Sequence, residues 1–202
     1  MFQHTPNRLT LVRVLLAPVF IALFVAQEPW SLWAALAVAL IVEITDVLDG
    51  HLARRHNQVS DVGKFFDPFA DSVSRFSEFL AFFAVSQTAG STLEGMMPLW
   101  MIVVIFYRDV LVAYLRIGGA TRNIIISARF TGKLKAVVQG IVANVIVFLA
   151  AAHELLGIAP ATVRTTGFWM LVVVTAVTFY SGVDYVWGNR RLLKTDDETV
   201  RR

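Results

Sequence analysis

The chain has no cysteine among its 202 residues. That absence rules out disulfides and thiolate metal sites, so neither can hold the fold or carry its chemistry. Period-2 alternation of apolar and polar residues is also missing, which removes half-buried strands as the building element. There is no internal repeat, no low-complexity stretch and no sign of a second domain, and residues 1–202 read as one membrane domain. The first apolar run has no small-residue cleavage site, so it is expected to stay in the protein and not to leave as a signal peptide. A net charge of +3 does not suggest a nucleic-acid partner.

What is present is apolar sequence along nearly the whole length. Hydrophobic residues make up 56% of the chain and the mean hydropathy is +0.63. A soluble domain of this size does not carry so much. Six stretches approach the roughly 17–25 residues of a bilayer span. They run over Leu11–Gln27, Ser31–Leu48, Phe66–Gln87, Pro98–Ile117, Lys133–Leu155 and Thr165–Trp187. Turn-prone residues separate several of them: Gln27-Glu28-Pro29, Thr88-Ala89-Gly90-Ser91, and Gly157 with Pro160. Lipid leaves helices as the form these spans must take, because each backbone polar group needs an internal partner. The fold expected is therefore an all-α integral membrane protein with six transmembrane helices.

The basic residues orient it. With both termini in the cytoplasm, that side receives Arg8, Arg54, Arg55, Lys64, Arg122, Arg129, Lys133, Lys135, Arg190, Arg191, Lys194, Arg201 and Arg202, whereas the outer loops receive Arg164. Trp30, Trp33, Trp100, Trp169 and Trp187 mostly fall near span ends, as interfacial anchors do. The segment His4–Arg13 reads either as a short amphipathic helix lying in the interface or as a basic terminus. A multi-pass protein of the cell (inner or plasma) membrane follows from this pattern.

The acidic residues mark the function. Asp46 and Asp49 close the second apolar span, and Asp67 and Asp71 open the third, all on the cytoplasmic side. Ionisable groups at membrane depth are costly and point to a site by default. On helices the i,i+3 and i,i+4 spacings put each pair on one face. If the two helices are neighbours, four carboxylates converge, and hard divalent cations such as Mg²⁺ relieve their repulsion. Two such ions suit a phosphoryl displacement. The plain alternative is that these carboxylates cap helices or pair with Arg54, Arg55 and Arg75. Gly50 and Ala53 after Asp49, and Gly63 ahead of the third helix, are small enough for a ligand to approach, although each alone reads equally as a helix-packing position. Arg54 offers a planar fork suited to phosphate oxygens.

The full pattern, Asp46-x2-Asp49-Gly50-x2-Ala53-Arg54-x8-Gly63-x3-Asp67-x3-Asp71, resembles the signature of the CDP-alcohol phosphotransferase family at every fixed position. The resemblance implies six transmembrane helices, cytoplasmic termini, a homodimer, and two divalent ions (Mg²⁺ or Mn²⁺) held by Asp46, Asp49, Asp67 and Asp71. It implies that Asp71 deprotonates the acceptor hydroxyl, and that Asp49, Gly50, Ala53, Arg54, Gly63 and Asp67 bind the CDP moiety. Within the family the chain is most like the phosphatidylglycerophosphate synthases. Pro6-Asn7-Arg8-Leu9-Thr10-Leu11-x-Arg13 with Pro18, Tyr107-Arg108-Asp109 with Arg116, and Gly132-Lys133-Leu134-Lys135 carry that likeness. Those enzymes join CDP-diacylglycerol to glycerol 3-phosphate, and Arg108, Arg116, Lys133 and Lys135 are the cations expected to hold the acceptor phosphate.

Two plainer readings stand beside this one. Lys133 and Lys135 also serve positive-inside topology, and Arg108 also suits neutralisation of Glu43, Glu78 or Asp184. Three features depart from the subgroup: Ser72 stands where lysine is usual, Asp109 where glutamate is usual, and Ser74-Arg75 adds a cation one turn beyond Asp71. Serine, an inositol phosphate or another polyol phosphate therefore stay open as acceptors. A transporter or a catalytically silent scaffold is the remaining alternative, disfavoured because the carboxylates gather at one membrane face and no motif residue is lost.

Overall fold

A computed structural model describes residues 5–56, 61–120 and 129–190, with side chains described over 11–45, 69–119 and 129–190. Six helices and no strands occur among the described residues. They are α1 (Thr5–Ala26), α2 (Pro29–His56), α3 (Asp61–Ser86), α4 (Leu99–Ala120), α5 (Phe130–Ala152) and α6 (Pro160–Gly188). The all-helical expectation holds. The expected spans match these helices to within two residues at the Gln27 and Gly90 turns, and miss by three and five residues at the Gly157 turn and by five to eight at the opposite ends of α1, α2 and α3.

The turns follow from local chemistry. Gln27 takes a positive φ of 55° and donates its side-chain amide to the Phe24 carbonyl at 2.7 Å. Pro29 then opens α2, where a missing N–H costs nothing. Between α3 and α4, Gly90 and Gly95 adopt φ values of 79° and 73° that other residues rarely accept. Ser86 fixes that loop by accepting a hydrogen bond from the Met97 amide at 2.8 Å.

At the other end apolarity stops before the helix does. α2 continues to His56, past the expected boundary at Leu48, so Asp49, Gly50, Ala53 and Arg54 lie within its backbone. Gly63 likewise falls in the first turn of α3, not ahead of it. Leucine, alanine and arginine are good helix formers whatever their hydropathy, so hydropathy misjudges these ends. Thr5–Arg13, the described part of the segment read as an interfacial helix or a basic terminus, is continuous with the rest of α1.

α1 packs against both α2 and α3, α5 against α2 and α6, and α4 against α6. The core between them is aromatic near α1 and α3: Phe24 meets Phe82 edge-on at 5.1 Å and stacks on Phe20 at 5.6 Å. Ala35 and Ala39 of α2 are buried, and small side chains there let the helices approach. The outside is equally apolar. Leu15, Ile44, Phe69, Tyr114, Ile141 and Phe179 are exposed, one from each helix. Soluble monomers rarely expose apolar surface on this scale.

α5 and α6 are long and apolar enough to cross a membrane, and α1 and α2 contain shorter apolar stretches, Leu11–Ala26 and Pro29–Thr45. α3 and α4 have the length, but Asp71, Arg75 and Glu78 interrupt the first and Arg108, Asp109 and Arg116 the second.

Gly140 of α5 packs within the chain. It is buried inside the bundle, and a Cβ there would overlap the Glu43 carboxylate and lie 3.1 Å from Arg75 Nη2. The bare backbone lets two charged side chains from α2 and α3 lie against α5. Gly140→Ala is therefore expected to lower the thermal midpoint of the detergent-solubilised protein, at a cost of about 1–3 kcal/mol. Gly118→Ala, where a Cβ meets nothing within 4 Å, is the matched control. Equal midpoints for the two variants would contradict this packing.

Candidate active site

The ion pairs between described side chains run from the middle of the bundle toward the end where α1, α3 and α5 begin and α2, α4 and α6 finish. They form two groups.

The first is built on α3. Asp71, Ser74, Arg75 and Glu78 follow at helical spacing and share a face. Asp71, 52% exposed, forms an ion pair with Arg13 of α1, which is only 2% exposed. Ser74 donates to the Arg13 carbonyl at 3.4 Å, so α1 and α3 are joined twice. Arg75 holds two carboxylates at once, Glu78 Oε2 at 2.9 Å and Glu43 Oε1 at 2.5 Å. The guanidinium fork suits this double pairing. Among the described residues, Asp71 has Arg13 as an arginine partner and Arg75 holds Glu43 and Glu78, while the side chains of Arg54 and Arg55, the other partners of the plain alternative, lie outside the described residues.

Asp46, Asp49, Gly50, Ala53 and Arg54 lie in α2, and Gly63 and Asp67 in α3. Their side chains fall outside the described residues, as does the expected convergence of four carboxylates and the expected CDP pocket. Backbone register alone places Asp67 one turn before Asp71.

The second group joins α4, α5 and α6. Asp109 accepts from Arg108 Nη1 at 2.9 Å and from Lys135 Nζ at 2.8 Å. Arg108 Nη2 donates to Ser181 Oγ at 2.7 Å. The Arg108 and Arg116 guanidinium carbons stand 5.5 and 6.0 Å from the centre of the buried Tyr185 ring. Arg116 also donates to the Tyr185 hydroxyl at 3.2 Å. Beside them, Arg129 forms a bidentate pair with Asp184 at 2.6 and 2.8 Å, and Thr131 donates to the same carboxylate at 2.6 Å. The hydrogen bond to Asp184 holds the Arg129 guanidinium above its ordinary pKa, so this pair stays charged.

Three of the four cations expected to hold an acceptor phosphate are thus brought together: Arg108, Arg116 and Lys135. Lys133 is not. It is exposed, as its offset of roughly 200° from Lys135 around the helix requires. Arg108 does not neutralise Glu43, Glu78 or Asp184. Arg75 takes the first two and Arg129 the third, while Arg108 pairs with its own neighbour Asp109. Sequence reasoning did not find Ser181, Tyr185 or the partners of Arg13 and Arg129. A signal existed in the acidic and hydroxyl residues at the end of an otherwise apolar helix, Ser181 to Asp184.

Residues 3–180 of the chain match the CDP-alcohol phosphatidyltransferase family. The chain belongs to that family. It is 29% identical over 208 residues to the CDP-diacylglycerol–glycerol-3-phosphate 3-phosphatidyltransferase of Bacillus subtilis, an alignment covering 96% of this chain and 99% of that protein. It is 33% identical over 186 residues to a probable phosphatidylglycerophosphate synthase of Mycobacterium tuberculosis, covering 89% and 78% of the two chains. Over 71 residues it is 46% identical to the corresponding Pseudomonas fluorescens phosphatidyltransferase, about a third of each chain.

Arg75 yields a direct test. Removing it leaves Glu43 and the deeply buried Glu78 facing each other without a cation, which costs about 3 kcal/mol or more. Arg75→Met should lower the unfolding midpoint sharply, and the added change Glu43→Gln should recover part of the loss. A midpoint unchanged in Arg75→Met would show that the pairing contributes no stability.

Proposed function

We propose that this protein transfers the phosphatidyl group of CDP-diacylglycerol to glycerol 3-phosphate, giving phosphatidylglycerophosphate and CMP. The observation that carries this reading is the gathering of Arg108, Arg116 and Lys135 at the end of the bundle that also bears Asp71, in a chain of this family. The names of the relatives in Bacillus subtilis and Mycobacterium tuberculosis support the same acceptor.

All six helices cross the membrane in this reading, with both termini and the charged end in the cytoplasm, where a soluble acceptor is available. Support comes from the apolar exterior and from the positive-inside bias. The charges that interrupt α3 and α4 are paired or set against polar groups and face other helices, which is how ionisable residues persist inside membranes. The family resemblance favours a homodimer.

Asp46, Asp49, Asp67 and Asp71 would hold two divalent cations, Mg²⁺ or Mn²⁺. The donor chemistry fits: aspartates supply hard oxygen ligands, and the Asp71 carboxylate is half exposed. Bound there, the cations would neutralise charge on the diphosphate as CMP departs. Asp49, Gly50, Ala53, Arg54, Gly63 and Asp67 would receive the CDP moiety. Arg108, Arg116 and Lys135 hold the acceptor phosphate, with Lys133 at the approach. Asp71 takes the proton of the acceptor hydroxyl. That oxygen then bonds to the phosphorus carrying the diacylglycerol, and the bond from that phosphorus to the CMP oxygen breaks, with CMP taking the electron pair. Arg13 restrains the Asp71 carboxylate on the α1 side.

CMP release from CDP-diacylglycerol with Mg²⁺ tests the proposal when glycerol 3-phosphate, serine, inositol and inositol phosphate are offered separately. Rapid release with glycerol 3-phosphate alone is expected. Release with a different acceptor alone would contradict the acceptor, and silence with all of them, from folded protein, the enzyme reading itself. Asp71→Asn should lose at least about 100-fold in turnover, as removal of a general base does, while CDP-lipid binding stays measurable. Asp67→Asn should weaken activity and metal dependence together. An unaltered metal titration would remove Asp67 from the ligand set.

A further inference from the structure

Tyr185 lies beyond residue 180, where the family match ends, and it is 1% exposed. A buried tyrosine at the end of an apolar helix is commonly just core, but its surroundings here are cationic. Its ring lies under two guanidiniums, those of Arg108 and Arg116. Its hydroxyl accepts from Arg116 Nη2 at 3.2 Å and from the Arg129 backbone amide at 3.4 Å. The backbone makes room for this. A Cβ at Gly132 would stand 3.2 Å from the Tyr185 ring and 3.4 Å from Arg108 Nη2, and one at Gly182 would stand 3.2 Å from Arg108 Cγ.

Two like-charged guanidiniums beside one another repel. The electron-rich ring face and the hydroxyl offset part of that repulsion. What the arrangement leaves unmet is informative. Arg108 Nε and Arg116 Nε are buried without a hydrogen-bond partner among the described residues. Buried donors of this kind are costly unless an acceptor arrives, and an oxyanion suits the guanidinium edge. The charges agree. Arg108, Arg116 and Lys135 against Asp109 leave an excess of two positive charges, and Arg129 with Asp184 adds none. A phosphomonoester carries about −1.5 to −2 near neutral pH.

We infer that Tyr185 is the positioning residue of the acceptor site: it sets Arg108 and Arg116 at the spacing that reads the phosphate of a phosphorylated acceptor. The inference rests on the proposed acceptor reading and adds to it a residue outside the family match. Tyr185 acts through the two arginines and not on the reacting atoms, so its loss affects acceptor binding and leaves the chemical step in place.

The test is Tyr185→Phe in the purified full-length protein, with CMP release followed at varied glycerol 3-phosphate and, separately, at varied CDP-diacylglycerol. Losing a hydrogen bond to a charged group should raise KM for glycerol 3-phosphate about 5- to 10-fold, with kcat within about twofold and KM for CDP-diacylglycerol unchanged. Gly132→Ala, which crowds the same ring from α5, should shift the same constant in the same direction and decides the matter if Tyr185→Phe does not fold. An unchanged KM for glycerol 3-phosphate, a loss confined to kcat, or equal rises in both KM values would overturn the role of Tyr185. Wild-type protein that releases no CMP with glycerol 3-phosphate would instead remove the acceptor reading, and the inference with it.

Discussion

An apolar bundle tolerates charge only where each charge is answered, and the arrangement of this protein follows from that constraint. Arg75 is the clearest case. It lies one turn after Asp71 and holds Glu78 on its own helix and Glu43 on α2, while Gly140 lets the whole group rest against α5. Three helices are thereby fixed relative to one another at the end where α2 and α3 carry the motif aspartates. Removing one charge from such a set leaves the others exposed to a low-dielectric interior, which is far worse than never having had them.

The same rule divides the charged end into two territories. On the α1–α3 side acid and base are paired among themselves, with Asp71 reaching the surface. On the α4–α6 side cations outnumber carboxylates. The surplus is held by means other than carboxylates: an aromatic ring, a tyrosine hydroxyl and a serine. A site kept positive in this way is ready for a dianion and is not silenced by its own protein. Asp109, where the subgroup usually has glutamate, contributes by tying Arg108 to Lys135.

Much of this was legible in the sequence, and the limits have physical causes. Six apolar runs give six helices because lipid-like composition and helical hydrogen bonding go together. The aspartate spacing is a covalent fact and needs no structure to be read. Helix ends at the charged end were misjudged because hydropathy reports burial, whereas Leu52, Ala53 and Arg54 continue a helix on propensity alone. Partner choice was the least legible. Nothing local distinguishes Glu43, Glu78 and Asp184 as partners for Arg108, since tertiary packing decides the matter and gives two of them to Arg75 and one to Arg129. Tyr185 could not be told from core by its position in an apolar helix.

The central proposal is that the helices cross the membrane and that the ends where α1, α3 and α5 begin face the cytoplasm. The absence of cysteine makes the claim directly measurable, because any single introduced cysteine is unique. Lys133→Cys marks the charged end, and Leu155→Cys, in the exposed turn between α5 and α6, marks the other. A membrane-impermeant maleimide applied to intact cells should label the protein bearing Leu155→Cys and reach the one bearing Lys133→Cys only after the membrane is opened. Labelling of Lys133→Cys in sealed cells, with Leu155→Cys protected, would contradict the account.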